Sequence, residues 1–504
     1  METEMVTVLV NGQGIQIPKG ETLEGALKKK GGLKMPCAGN GICGKCKVTA
    51  EGALSEPDET ERCLLTEEER NHKIRLACRT RALGDCRIFF TGGEINQGKE
   101  NLQKEGSAAN PLFFQLGAAI DIGTTTMAAA LYGEDGLLAR AGCDNPQAVF
   151  GADVISRIEK SMAGEAEALA GAVKEGIANL LEALLQKSGR SADELDTIVI
   201  CGNTAMLYLL TARDPKSLSR APFAADWLAG EWLTGQQLGL SGCKNARIYL
   251  PPCISAFVGA DITMAMLTVT EEKENRLLVD IGTNGEIVLW KKGGIVCCST
   301  AAGPAFEGAG LKMGMPGTDG AVSHVTAGEN GLCAEVIGNT EPAGICGSGV
   351  IDAVSCLLQT GQMDETGYLE EEEAVIAGKV RLFQEDIRKI QLAKSAICAG
   401  ILSMLHRAGL AVEDLEELLA AGGFGSFIRL ENAIAIGLLP PIDTEKITVC
   451  GNAALAGAVL LLRDASLMGK AAALVERAET VNLASDEFFK NAYMEGMLFG
   501  DGLL

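Results

Sequence analysis

Along residues 5–10 the apolar positions alternate, with Val6, Val8 and Val10 on one side, and a period of two predicts a strand. Asn11-Gly12-Gln13-Gly14 is a turn signal, after which Ile15 and Ile17 resume the alternation, so the chain opens on a predicted hairpin. Thr22 to Lys30 reads as a short helix that stops at Gly31-Gly32, glycine being the usual helix terminator. Hairpin, helix and a following cysteine loop predict a small α+β unit over residues 1–92.

Residues 91–112 are polar, carry four glycines and read as a linker, which we bound at 93–114. Beyond it, long Ala/Leu/Gly-rich segments alternate with short apolar runs, an α/β pattern. One phrase occurs twice: Ala119-Ile120-Asp121-Ile122-Gly123-Thr124 returns as Leu278-Val279-Asp280-Ile281-Gly282-Thr283. Strand-like runs follow both copies, Met127 to Tyr132 and Ile287 to Trp290. A repeat separated by 159 residues is too long for a solenoid unit and predicts two similar subdomains, 115–270 and 271–504, facing one another. Residues 411–419 read as helical and lead into Ala420-Ala421-Gly422-Gly423-Phe424-Gly425-Ser426.

With 504 residues, 47% hydrophobic and 22% charged, the chain is globular in composition and long enough for about three domains. A net charge of -22 repels nucleic acid and anionic membrane, so neither is expected as a partner. No apolar run reaches the roughly 18 residues a bilayer span requires. Met1 to Val10 carries Glu2 and Glu4 rather than the basic flank of a signal peptide, so a cytoplasmic protein is expected. Seventeen cysteines in that compartment argue for metal ligands and buried thiols rather than disulfides.

Cys37, Cys43 and Cys46 stand in MPCAGNGICGKCKV with C-x5-C-x2-C spacing, and Cys78 follows 32 positions later. Three close thiolates and a distant fourth match the ligand set of a [2Fe–2S] cluster. Gly39, Gly41 and Gly44 let the backbone wrap closely and aim N–H groups at the sulfurs. Zinc usually takes two C-x2-C knuckles, and only one is present. Cys63 and Cys86 lie in the same unit, so spacing alone leaves the fourth ligand open.

Asp121-Ile122-Gly123-Thr124-Thr125-Thr126 and Asp280-Ile281-Gly282-Thr283-Asn284-Gly285 each follow an apolar strand. Glycine permits close backbone approach to phosphate, and backbone N–H and Thr hydroxyls donate to its oxygens. The aspartate can hold hydrated Mg2+, which keeps its waters and prefers carboxylate and phosphate ligands.

These two loops and the later Gly422-Gly423-Phe424-Gly425 stretch resemble the ATPase superfamily of actin, sugar kinases and heat-shock chaperones (ASKHA). The resemblance implies a duplicated α/β fold that binds ATP and Mg2+. It casts Asp121 and Asp280 as catalytic, and Gly123, Thr124, Thr125, Thr126, Gly282, Thr283, Asn284, Gly285, Gly422, Gly423 and Gly425 as nucleotide-binding. Stretches 254–267 and 452–462 resemble that superfamily's two connecting helices. The N-terminal unit resembles the β-grasp ferredoxins, its x5 gap being similar to the adrenodoxin type, and this resemblance implies Cys78 as fourth ligand.

A cluster domain joined to such an ATPase resembles the reductive activators of corrinoid proteins, as do NPQAVFGADVISRI (145–158), AAGPAFEGAGLKMGM (301–315) and ICGSGVIDAV (345–354). That resemblance implies ATP-dependent passage of one electron from the cluster to a Co(II) corrinoid protein, giving Co(I) for an anaerobic methyltransferase system. The partners implied are the corrinoid protein and a low-potential electron donor; a homodimer is left open. The 22-residue linker leaves no room for the extra domain that some members carry. A plant-type cluster sits near −400 mV, and each roughly 59 mV uphill costs a factor of ten for one electron; ATP-driven closure would pull the transfer forward. Competing expectations are an activator of a radical dehydratase or reductase, a small-molecule kinase with a redox-sensing cluster, and a nucleotide-controlled scaffold.

Overall fold

The hydrophobic alternation of the first ninety residues closes a five-stranded sheet in the computed structural model, which describes residues 4–10, 13–30, 46–65, 69–70, 73–89, 110–269, 273–328, 331–423 and 428–500. Strands β1 (Met5–Val10) and β2 (Gln13–Pro18) pair antiparallel from Met5↔Pro18 to Val10↔Gln13. With β3 (Lys47–Leu54), β4 (Ile74–Leu76) and β5 (Ala82–Phe89) they give the order β2-β1-β5-β3-β4, β1 and β5 being parallel. The helix Leu23–Lys30 lays Leu23 and Leu27 on the face that carries Val6, Val8, Val10 and Ile88, all buried. This is the expected β-grasp arrangement. Residues 90–109 lie outside the described residues. Residues 110–114, inside the stretch read as linker, run along the next unit. Leu112 N–H donates to Leu462 C=O at 2.9 Å, and Phe114 and Gln115 N–H donate to the Asp196 carboxylate.

The repeated phrase marks two sheets of the same design. In the first, β6 (Leu116–Ile122), β7 (Thr126–Gly133) and β8 (Gly136–Asp144) form an antiparallel meander. β9 (Leu195–Gly202) joins parallel to β6, and β10 (Glu231–Thr234) and β11 (Arg247–Leu250) complete the order β10-β11-β9-β6-β7-β8. In the second, β12 (Arg276–Ile281), β13 (Gly285–Lys291) and β14 (Gly294–Thr300) repeat the meander. After a small sheet of β15 (Ala321–Gly328), β16 (Gly331–Val336) and β17 (Gly344–Ile345) and a hairpin of β18 (Glu373–Ala377) and β19 (Val380–Phe383), β20 (Glu417–Ala421) joins parallel to β12. β21 (Ile447–Gly451) follows parallel to β20, and β22 (Ala478–Thr480) edges β14. The order β11-β9-β6-β7-β8 is thus matched by β21-β20-β12-β13-β14.

The helical reading of 411–419 is corrected: Val412–Asp414 is one short 3-10 turn and Glu417–Ala421 is a central strand. Leu418 to Ala421 are buried on both faces, and a strand covered on both sides loses the period-two signature that separates it from a buried helix.

The two halves share a spine of helices. Ala260–Leu267 and Ala453–Arg463 pack together, and the latter also packs on β6 and β9. Their crossing is tight enough that a Cβ on Gly457 would lie 1.8 Å from the Met264 carbonyl oxygen, so only glycine fits. No helix of the described residues is long and apolar enough to cross a membrane.

Candidate functional site

Cys37 and Cys43 lie outside the described residues. Cys46, just before β3, and Cys78, in the turn after β4, are both buried and bring their sulfurs to 3.2 Å. The hydrogen bond with the Cys78 sulfur, opposed by burial and aided by backbone N–H groups, lowers the Cys46 thiol to about 7. A thiol poised to ionise beside a second sulfur suits a thiolate-ligated cluster. The alternatives are placed differently. Cys63 is exposed on the helix Glu59–Leu64, and burial raises the Cys86 thiol in β5 to about 11.

What fixes the Cys78 turn is Glu61, fully buried on that helix. Its carboxylate takes Arg75 Nε at 3.0 Å and Nη2 at 2.7 Å, Leu76 N–H at 2.9 Å and Thr80 Oγ1 at 3.0 Å. A bidentate, charge-assisted pair of this kind specifies geometry as well as energy. It anchors both sides of the segment that carries Cys78.

In the second unit each repeated phrase ends a strand and turns sharply. Asp121 is the penultimate residue of β6, and Gly123 turns so tightly that a Cβ there would lie 2.6 Å from Thr126 C=O. The loop's carbonyls are committed from behind. Asn145 donates from Nδ2 to Gly123 C=O and from its backbone N–H to Thr125 C=O, both at 2.8 Å, while Arg157 Nη2 donates to Thr124 C=O at 2.6 Å. What the loop has left to offer a ligand is N–H and O–H donors, the polarity an anion requires. Arg157 is wholly buried, which pulls its guanidinium down to about 10.

The second loop meets the first. Thr283 donates from its N–H to Glu307 Oε1 at 3.1 Å and from its hydroxyl to Oε2 at 2.8 Å. Thr125 also donates its hydroxyl to Glu307 Oε2, and the two Thr hydroxyl oxygens are 3.4 Å apart. Residues 158 apart in sequence therefore form one donor cradle that already accepts an oxyanion. The glycines that follow the next strands are equally constrained. Gly422 sits at φ +122°, and a Cβ there would lie 2.3 Å from Ile281 C=O. Gly202, the last residue of β9, repeats this, a Cβ there lying 2.7 Å from Ile122 C=O.

Around the cradle stand four carboxyl groups, each raised chiefly by burial and three of them also by a neighbouring acid. Burial, offset in part by hydrogen bonds from Asn452 and Cys201, lifts Asp121 to about 6. Burial and the charge of Asp121 lift Asp261 to about 7. Burial, then Asp261, Asp121 and Glu307, lift Asp280 to about 8. Burial, then Asp261 and Asp280, push Glu286 well above the usual carboxylate range. Crowded acids of this kind are relieved by a nearby cation, although among the described residues no three His, Cys, Asp or Glu side chains converge closely enough to hold a metal by themselves.

Thr125 and Thr283 are thus brought together by Glu307, and Asp121 and Asp280 share one field. Gly123, Thr124, Gly282 and Asn284 form the turns beside them, with Gly282 N–H bonded to Asn284 C=O at 2.9 Å. Thr126 and Gly285 begin β7 and β13, where they pair with Asp144 and Thr300, so their place is at the strand edge of each turn. Gly423 faces open space, and Gly425 lies outside the described residues. Asp261, Glu307, Asn145, Arg157 and Asn452 escaped sequence reasoning. The signals were faint: Asp261 follows Gly259-Ala260 in the first turn of its helix, and Glu307 lies between glycines in AAGPAFEGAG.

Comparison with known proteins gives this geometry a family. Residues 8–83 match a family described as a 2Fe-2S iron-sulfur cluster binding domain, 116–274 match the RACo middle region, and 274–502 match the C-terminal domain of RACo, the ASKHA domain. The chain is 34% identical over 420 residues to the corrinoid activation enzyme RamQ of Eubacterium limosum, covering 77% of this chain and 71% of that protein. It is 26% identical over 336 residues to a [Co(II) methylated amine-specific corrinoid protein] reductase of Methanosarcina barkeri, covering 60% of this chain and 62% of that one. A solved structure titled reductive activator for corrinoid, iron–sulfur protein superposes with a TM-score of 0.72 at 26% identity, covering 99% of this chain and 98% of the other. The chain belongs to the reductive activators of corrinoid proteins, which join an iron–sulfur domain to an ASKHA ATPase.

Proposed function

We propose that this protein uses ATP to drive the reductive activation of a corrinoid protein, Co(II) to Co(I), for a methyltransferase system. The observation that carries the reading is the donor cradle of Thr125 and Thr283, built from both halves of the ATPase and ringed by Asp121, Asp261 and Asp280. A site assembled from two halves can respond to a ligand by changing how the halves meet, which is what coupling requires. The names of the relatives support a corrinoid protein as the partner.

In this reading Gly123–Thr126 and Gly282–Gly285 take the phosphates, Gly422, Gly423 and Gly425 approach the nucleoside, and Asp121 and Asp280 order the waters of Mg2+. Asp261, whose carboxyl burial and then the charge of Asp121 raise to about 7, is the candidate to accept a proton from attacking water. Cys37, Cys43, Cys46 and Cys78 hold a [2Fe–2S] cluster, which supplies single-electron chemistry when bound. The domain division is 1–92, a linker over 93–114 whose last residues lie along the next unit, 115–270 and 271–504; the matching order of the two six-stranded sheets supports the split of the ATPase into two halves. The setting is cytoplasmic and anaerobic, with a low-potential donor upstream.

The test is the absorbance change of a Co(II) corrinoid protein mixed with anaerobically purified protein and a strong chemical reductant, with and without ATP. Reduction that depends on ATP is expected. A rate that ignores ATP removes the ATPase from the redox step.

A further inference from the structure

We propose that Glu307 is a gate on the nucleotide site, an internal carboxylate that holds the terminal-phosphate donors until ATP displaces it. The inference rests on the reading of the two loops as a phosphate cradle and adds what occupies that cradle beforehand.

Three hydrogen bonds reach this one carboxylate: Thr283 N–H at 3.1 Å, Thr283 Oγ1 at 2.8 Å, and Thr125 Oγ1. These hydroxyls come from loops on opposite halves, so the carboxylate also clasps the halves together. Its Oε1 lies 3.2 Å from where a Cβ on Gly282 would stand, inside the space a glycine leaves open for close approach of a ligand. A carboxylate and a phosphate oxygen want the same donors, and two anions do not share them. Entry of the phosphate therefore requires Glu307 to leave.

The backbone is built to let it leave. The turn Pro304–Glu307 is flanked by Gly303 at φ +80° and Gly308 at φ +71°, with Gly310 at +79° beyond. Downstream, Lys312 N–H donates to Asp386 at 2.9 Å and the Lys389 ammonium reaches Gly310 C=O at 2.6 Å, both on the helix Gln384–Ala408. Release of Glu307 thus removes the side-chain tie of a glycine-bounded segment that stays held by Gly303 N–H on Thr283 C=O at 2.8 Å and, at its far end, by the longest helix of the second half. That is a direct mechanical route from phosphate to fold.

The experiment compares wild type with Glu307→Gln by calorimetric titration of the anaerobic full-length protein with MgATP and with adenosine. Glutamine keeps the volume and removes the competing charge. Since hydrogen bonds to charged groups are the strong ones, MgATP affinity should rise about tenfold or more. Adenosine affinity should not move. A folded variant that binds MgATP no tighter than wild type overturns the gate. So does lost turnover at unchanged affinity, which would make Glu307 a catalytic group. Wild type that binds no MgATP overturns the phosphate reading of the cleft itself. Should Glu307→Gln fail to fold, hydrogen exchange of wild type decides: amides across 303–312 should exchange faster once MgATP is added, and unchanged protection overturns the gate.

Discussion

Replacing Asp280 by Asn should stabilise the nucleotide-free protein at neutral and alkaline pH while removing ATP turnover. Asp280 is half-buried at the end of β12, and burial together with Asp261, Asp121 and Glu307 raises its carboxyl from an ordinary 3.8 to about 8. Below pH 3.8 the group is protonated in both folded and unfolded chains and costs nothing. As the pH rises the unfolded chain releases this proton and the folded chain keeps it, so stability falls until the folded group also ionises near 8. At about 1.36 kcal/mol for each tenfold step, the penalty at pH 7 reaches roughly 4 kcal/mol. Partial exposure of the side chain lowers what is recovered to about 2–4 kcal/mol. For a unit of this size, that is a rise in Tm of roughly 5–15 °C. The assay is thermal unfolding without nucleotide or Mg2+ at pH 5 and pH 8, alongside phosphate release with MgATP. The variant should unfold well above wild type at pH 8, by much less at pH 5, and hydrolyse no ATP. Equal unfolding temperatures at pH 8, or a gap that ignores pH, would refute the electrostatic account of the cleft.

Cys78→Ser should lose the visible absorbance of the cluster, whereas Cys63→Ser and Cys86→Ser should keep it; a wild-type spectrum for the Cys78 variant would move the ligand elsewhere. Glu61→Ala leaves the partly buried Arg75 guanidinium and the Leu76 N–H without their partner, a loss of about 1–3 kcal/mol, and should shed iron in mild denaturant, which iron release in a urea series would show. Gly457→Ala forces a methyl into the Met264 carbonyl 1.8 Å away, so the helix spine must open and unfolding should come at least about 2 kcal/mol earlier by denaturant titration.

Much of this was legible because it is local. Val6, Val8 and Val10 bury one face of β1, and Leu23–Lys30 stops where glycines follow, because side-chain period and helix termination are properties of neighbouring residues. The repeated Asp-Ile-Gly-Thr was visible for the same reason, and it located both turns that reach Thr125 and Thr283. The strand Glu417–Ala421 was not legible, since burial on both faces leaves a continuous apolar run that fits a helix equally well.

The sequence by itself determined which residues could do chemistry: clustered thiols, two glycine-hydroxyl turns, and aspartates at strand ends. Tertiary structure alone decided how they combine. Cys46 finds Cys78 rather than Cys63 because Glu61 pins the turn after β4. The charges of Asp121 and Asp261 reach Asp280 only because two distant sheets share a cleft. Glu307 closes that cleft because its turn crosses from the second half to a hydroxyl of the first. Coulomb forces and hydrogen bonds act through space, and residues 182 apart along the chain become hydrogen-bonding neighbours only after both halves have folded.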